Sequence, residues 1–170
     1  GGVGKTTLAS SIYMEESCDF QGGCILENIR EEPGKKCNLR KLQEIMLSRV
    51  SNTKVEVRSV EEGKRSIPQM LCRRRVLIIL DDVDHIDQLN ALAGSPNWFG
   101  SGSRIILTTR NVQLLLSHKV DHVCPVTLLS HKEAIQLFNK NAYKKDMHIK
   151  DYDSLPLSVV SYAAGLPLAL

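Results

Sequence analysis

A chain of 170 residues, 42% hydrophobic and 24% charged, has the size and composition of one soluble domain, or of a larger domain with part of a second. Its formal net charge of +3 implies no polyanion partner by itself. Five cysteines (Cys18, Cys24, Cys37, Cys72, Cys124), odd in number and without C-x-x-C spacing, argue against a disulfide frame or a zinc ribbon and for free thiols in a reducing compartment.

The chain opens on Gly1-Gly2-Val3-Gly4-Lys5-Thr6-Thr7, the second half of the phosphate-loop pattern G-x-x-x-x-G-K-[ST]. Glycines allow positive φ and let backbone N–H groups curl around phosphate oxygens. Lys5 supplies a cation to the outer phosphates and Thr6 a hydroxyl to Mg²⁺. The following helix directs its positive end to the same anion. The motif's first glycine and its feeding strand would precede Gly1, and the last residues break off within an apolar run. The expectation is therefore an internal piece of a longer protein, poorly stable when expressed alone.

From Lys5 to Met14, Leu8 and Ile12 fall on one face with Ala9 and Tyr13 beside them, as a helix following a phosphate loop should. Gly22-Gly23 reads as a turn before a short buried strand that begins at Cys24-Ile25-Leu26 and ends in Glu27-Asn28-Ile29-Arg30, and residues 31–36 read as a loop. Asn38 caps a helix striped by Leu39, Leu42, Ile45, Met46 and Val50. Ser59-x-x-Glu62 is a capping box for the next helix, which Pro68 should shorten or kink. Arg73-Arg74-Arg75 reads as a solvated strand entry rather than a basic patch.

Val76-Leu77-Ile78-Ile79-Leu80-Asp81-Asp82 is a central parallel strand buried on both faces, tipped by two carboxylates where open α/β sheets hold ligands. One of the two carboxylates can organise Mg²⁺, usually through water, while the other can orient or deprotonate an attacking water. Helix capping is the bland alternative, outweighed by the phosphate loop upstream. A helix from Ile86 closes at Gly94, and residues 95–103 read as a surface loop. Arg104 to Thr109 forms another buried strand, and Arg110 at its exit either reaches a terminal phosphate or is an ordinary surface arginine. Asn111 to Ser117 is helical, and Val123 to Leu128 reads as a last, edge strand containing Pro125. His118 and His122 lack the acidic partner that a helical metal site needs. After Leu129 only helical patterns follow, beginning with the capping box Ser130-x-x-Glu133 and ending with a helix carrying Val159, Val160 and Ala163. The residues thus predict an α/β class, a parallel sheet lacking its first strand (1–128) followed by a helical part (129–170).

Four motifs occur in one order: Gly1 to Ala9, Leu77 to Asp84, Gly100 to Arg110, and Gly165-Leu166-Pro167-Leu168-Ala169. That order resembles the NB-ARC nucleotide-binding module of plant disease-resistance proteins of the NBS-LRR kind. Asp84 and the segment Leu26 to Glu31 are similar to the subclass with an N-terminal TIR domain. Cys124, where the family often has an aromatic, and Pro68 depart from the pattern outside the nucleotide motifs.

The resemblance implies a P-loop NTPase fold with a helical ARC1 subdomain and a switch that rests with ADP and is active with ATP. It implies nucleotide contacts from Gly2, Val3, Gly4, Lys5, Thr6 and Thr7, with Mg²⁺ held by Thr6 and Asp81. Asp82 becomes the candidate general base, Arg110 the sensor of the terminal phosphate and Pro167 an adenine contact. Arg30 is a weaker phosphate-facing candidate. Flanking TIR and leucine-rich segments, self-association when active, at most slow Mg²⁺-dependent ATPase activity and a cytoplasmic or nuclear location complete the expectation. The alternatives are a conventional P-loop ATPase or kinase, and a nucleotide-independent interaction module.

Overall fold

The computed structural model describes residues 2–30, 38–142 and 160–169. The predicted loop at 31–36 lies outside the described residues, as does Val159.

The chain divides into two compact units, Thr6–Val123 and Gly1–Lys5 with Cys124–Leu170. The larger unit is an α/β layer structure, as the alternation of apolar strands and amphipathic helices predicts. Its elements in chain order are α1 (Lys5–Glu16, entering from the smaller unit), β1 (Gly22–Leu26), α2 (Leu39–Ser51), α3 (Val60–Leu71), β2 (Val76–Val83), α4 (Ile86–Leu92), β3 (Arg104–Thr109) and α5 (Val112–Ser117). The three described strands pair in the order β1-β2-β3, all parallel.

β2 lies in the middle, and Val76 to Leu80 are fully buried. Its side chains alternate between two cores, as a strand covered on both faces must. Ile78 and Leu80 join Cys24 and Leu26 of β1 against Met46, Leu47, Ile67, Leu71 and Leu89 of α2, α3 and α4. Leu77 and Ile79 face the other way, onto Ala9 and Tyr13 of α1.

Several local expectations change here. On α1 the inward residue is Ala9, while Leu8 is 47% exposed. A small side chain lets the helix approach the sheet closely. Gly22 and Gly23 are the first residues of β1 rather than a turn. A Cβ at Gly22 would stand 2.7 Å from the Val50 carbonyl oxygen, and one at Gly23 the same distance from that of Leu77, so close approach explains both. Helix α3 continues through Pro68 to Leu71, and Cys72 N–H still bonds the Pro68 carbonyl at 3.1 Å. Residues 95–103 include a 3₁₀ turn at Pro96–Trp98 and bury Phe99. β3 is only partly buried. Residues 123–128 form no strand: five of the six are exposed, and Pro125 has no N–H to give a ladder.

Other readings hold. Asn38 accepts from Lys41 N–H at 3.1 Å, capping α2, and Ser59 accepts from Glu62 N–H at 3.2 Å, capping α3. The Glu62 carboxylate reaches back to Arg58 N–H at 2.7 Å, one residue further than a standard capping box. Arg73, Arg74 and Arg75 are exposed at the entry to β2, and Arg75 stacks over Phe20 at 4.9 Å.

The smaller unit contains α6 (His131–Ala142), a helical stretch at 160–163 and a 3₁₀ turn at Pro167–Ala169. Ser130 and Glu133 complete their predicted box, with Ser130 N–H to the Glu133 carboxylate at 2.8 Å. Leu129 N–H donates to the Gly165 carbonyl at 2.9 Å, tying the approach to α6 to the end of the 160–163 helix.

Candidate functional site

The glycine loop belongs to the smaller unit. Gly2 and Gly4 hold φ of +82° and +92°, conformations that side-chain-bearing residues rarely adopt. Alternating left-handed residues turn successive amides toward one concave side, the geometry of an anion nest. Leu168 N–H donates to the Gly2 carbonyl at 3.3 Å, and Pro167 lies beside Gly4. Gly-Leu-Pro-Leu and the glycine loop, at opposite ends of the sequence, therefore meet inside one unit.

Lys5 opens α1, and Thr6 is the helix's second residue. The Thr6 hydroxyl lies 2.9 and 3.0 Å from the two carboxylate oxygens of Asp81. That contact places the N-terminal end of α1 at the C-terminal end of β2, the position at which open parallel sheets hold ligands. Thr7 is exposed on the same turn.

Asp81 is 1% exposed. Its carboxylate receives hydroxyl hydrogen bonds from Thr6 and from Thr108, the latter at 2.7 Å. Among the described residues no cationic side chain pairs with it. A buried carboxylate with hydroxyl partners and no counter-charge is a site that a cation fits. The donors are hard oxygens, suited to Mg²⁺.

Asp82 owes its placement to a break in the ladder. Leu80 pairs with Leu107, yet Val83 pairs with Thr109. Two residues of β2, Asp81 and Asp82, therefore oppose Thr108 alone, which is the definition of a bulge. Asp82 absorbs the extra residue with φ of +53°. Strict alternation would carry Asp82 to the face of Ile78 and Leu80, into the larger core. The bulge gives that place to Val83, which is 1% exposed there. The Asp82 carboxylate instead meets Arg110, with Nε to Oδ1 at 3.3 Å.

Arg30 pairs with Asp84 at 3.3 Å rather than standing free. Gln88 joins the same group: its amide donates to Asp84 at 2.9 Å and to the Ile29 carbonyl at 3.3 Å, while its oxygen accepts from Asp84 N–H at 3.0 Å. Ile29 N–H also donates to the Asp81 carbonyl at 2.9 Å. The segment after β1 is thereby fastened to the end of β2. The sequence reading passed over Gln88 and Thr108. A glutamine in the first turn of a predicted helix and a threonine two residues before a strand-end arginine were the available signals. His118, considered as a ligand, has its ring nitrogen 2.9 Å from the Ala93 carbonyl.

A family model for the NB-ARC domain matches residues 1–148. The chain belongs to the NB-ARC domain family. With membership comes the coarse role, a nucleotide-binding module of the kind that disease resistance proteins carry. This NB-ARC chain is similar to the TMV resistance protein N of Nicotiana glutinosa, 42% identical over 177 residues that cover 100% of the chain and 15% of that protein. It is also 42% identical over 172 residues to the disease resistance protein RPV1 of Vitis rotundifolia, covering 100% of the chain and 12% of that protein. For the disease resistance protein RPS6 of Arabidopsis thaliana the figures are 34% over 179 residues, 99% and 16%. The NB-ARC chain thus spans a small part of the length of the relatives it matches. No helix among its described residues is long and apolar enough to cross a membrane.

Proposed function

We propose that this NB-ARC chain is the ADP/ATP switch module of a plant immune receptor, resting with ADP and active with ATP. The observation that supports it best is the Thr6–Asp81 contact of 2.9 Å at the head of α1, which joins the phosphate-loop threonine to a buried carboxylate that has no cationic partner among the described residues. On this reading the backbone from Gly2 to Thr7 cradles the phosphates, with Val3 and Gly4 contributing amides and Lys5 its ammonium. Thr6 and Asp81 would hold Mg²⁺, whose bound form neutralises phosphate charge. Asp82 orients or deprotonates water as the general base. Arg110 pairs with Asp82 until a terminal phosphate offers it a second anion, so sensing and hydrolysis share one ion pair. Hydrolysis is correspondingly slow. Pro167 contacts the adenine.

The nucleotide-binding subdomain covers 1–128 and the helical ARC1 subdomain 129–170. Flanking TIR and leucine-rich segments, self-association in the ATP state and a cytoplasmic or nuclear location follow from the same reading. The test is nucleotide content. The complete receptor, purified and denatured, should release close to one ADP per chain, and Lys5→Ala should abolish that retention. A receptor that purifies empty and binds neither ADP nor ATP overturns the proposal.

A further inference from the structure

We infer that Thr108 is the positioning residue of this site, its one hydroxyl setting both strand-end carboxylates. The inference rests on the proposed nucleotide reading and adds a residue to it. Because the bulge sets two residues of β2 against one of β3, the Asp82 N–H has lost its ladder partner. Thr108 Oγ1 accepts that N–H at 2.9 Å. The same oxygen donates its proton to Asp81 Oδ1 at 2.7 Å. Thr108 is 8% exposed, so water replaces neither bond readily.

A hydroxyl suits both tasks through one atom: it accepts with a lone pair and donates its single proton. Valine has the same shape and can do neither. Carboxylate and carboxamide side chains are longer and would displace Asp81. With its proton committed to Oδ1, Thr108 orients the carboxylate and leaves Oδ2 to Thr6, at 3.0 Å, its one hydrogen-bond partner among the described residues. By holding the Asp82 amide it also keeps that residue at φ of +53°, which aims the second carboxylate at Arg110. Removing the hydroxyl therefore disturbs metal affinity and the Asp82–Arg110 pair together, through the two aspartates that Thr108 holds.

The experiment uses the complete receptor and measures ADP affinity with Mg²⁺ and with EDTA. Wild type should bind ADP more tightly with the metal. Thr108→Val should lose about tenfold or more of that Mg²⁺ enhancement, the fold-change expected for one charge-assisted hydrogen bond. Its affinity for metal-free ADP should stay within about twofold, since the phosphate loop is untouched. Thr108→Ser should recover most of the enhancement. If Thr108→Val fails to fold, Thr108→Cys, whose thiol is a weak donor of similar size, should show the same loss. A Val or Cys variant that keeps the full enhancement overturns the inference, as does a Ser variant as impaired as Val. A wild-type receptor that gains nothing from Mg²⁺ overturns the metal reading of the site instead, and with it the inference.

Discussion

At the scale of single residues, environment rather than type decides what each group does. Cys18, Cys72 and Cys124 are exposed thiols, whereas Cys24 is buried under α2. Burial pushes the Cys24 thiol from its ordinary 9.0 up to about 12, because a thiolate there would be desolvated; nearby Arg49 offsets this only in part. In the native protein, iodoacetamide at pH 8 should label Cys18, Cys72 and Cys124 and spare Cys24, as mass spectrometry of the digest would reveal. The raised value also has a consequence for stability. Between pH 9.0 and about 12 the unfolded chain has released the Cys24 proton and the folded chain retains it. Stability contributed by the neutral thiol is complete below that window and is lost as pH rises through it. Cys24→Ala should accordingly show a shallower fall in urea midpoint from pH 8 to pH 10 than the parent. An equal fall in both would assign the alkaline loss to other groups.

At the scale of elements, capping was readable and packing was not. Asn38, Ser59 and Ser130 all bond the backbone amides that their spacing predicts, because a cap is a contact within four residues. Ser59→Ala should cost about 1 kcal/mol of unfolding free energy by urea denaturation. Pro68 was expected to shorten or kink its helix; α3 is not shortened and runs through it to Leu71. Burial of Ile67 and Leu71 on both sides of the proline holds the last turn in place against the missing N–H. Pro68→Ala restores a helical donor and should stabilise, by up to about 3 kcal/mol. A destabilised variant would show that the proline ring itself is packed where alanine leaves a gap. The opposite case is the 123–128 segment, whose apolar residues looked like a strand. Strand formation needs a neighbour with free backbone groups, and local pattern cannot report one.

At the scale of the molecule, a switch needs unequal affinity of ADP and ATP for two states. Moving a population from 1:99 to 99:1 takes about 5.5 kcal/mol of differential binding. On the proposed reading, an Arg110 contact to one added phosphate would supply on the order of 1.5–3 kcal/mol of that. Arg110→Ala in the complete receptor should therefore narrow the difference between ADP-loaded and ATP-loaded samples without abolishing it. Size-exclusion elution of the two samples is the readout. Identical elution of the wild-type samples would remove the basis for self-association. A variant as responsive as wild type would leave Arg110 with its Asp82 pair alone.

The sequence by itself determined the α/β class, the phosphate loop, the buried acidic strand and the helix caps. Each depends on neighbours within a few residues, where periodicity and backbone preference act. Only the tertiary structure decided that Gly22 and Gly23 serve close approach and that Ala9 rather than Leu8 meets the sheet. It alone opposed Thr108 to two aspartates across a bulge. These facts arise between segments tens of residues apart, where the cost of an extra residue or a Cβ depends on what stands opposite. Nothing in Leu80-Asp81-Asp82-Val83 announces which carboxylate faces α1 and which turns toward Arg110; the pairing with β3 settles it.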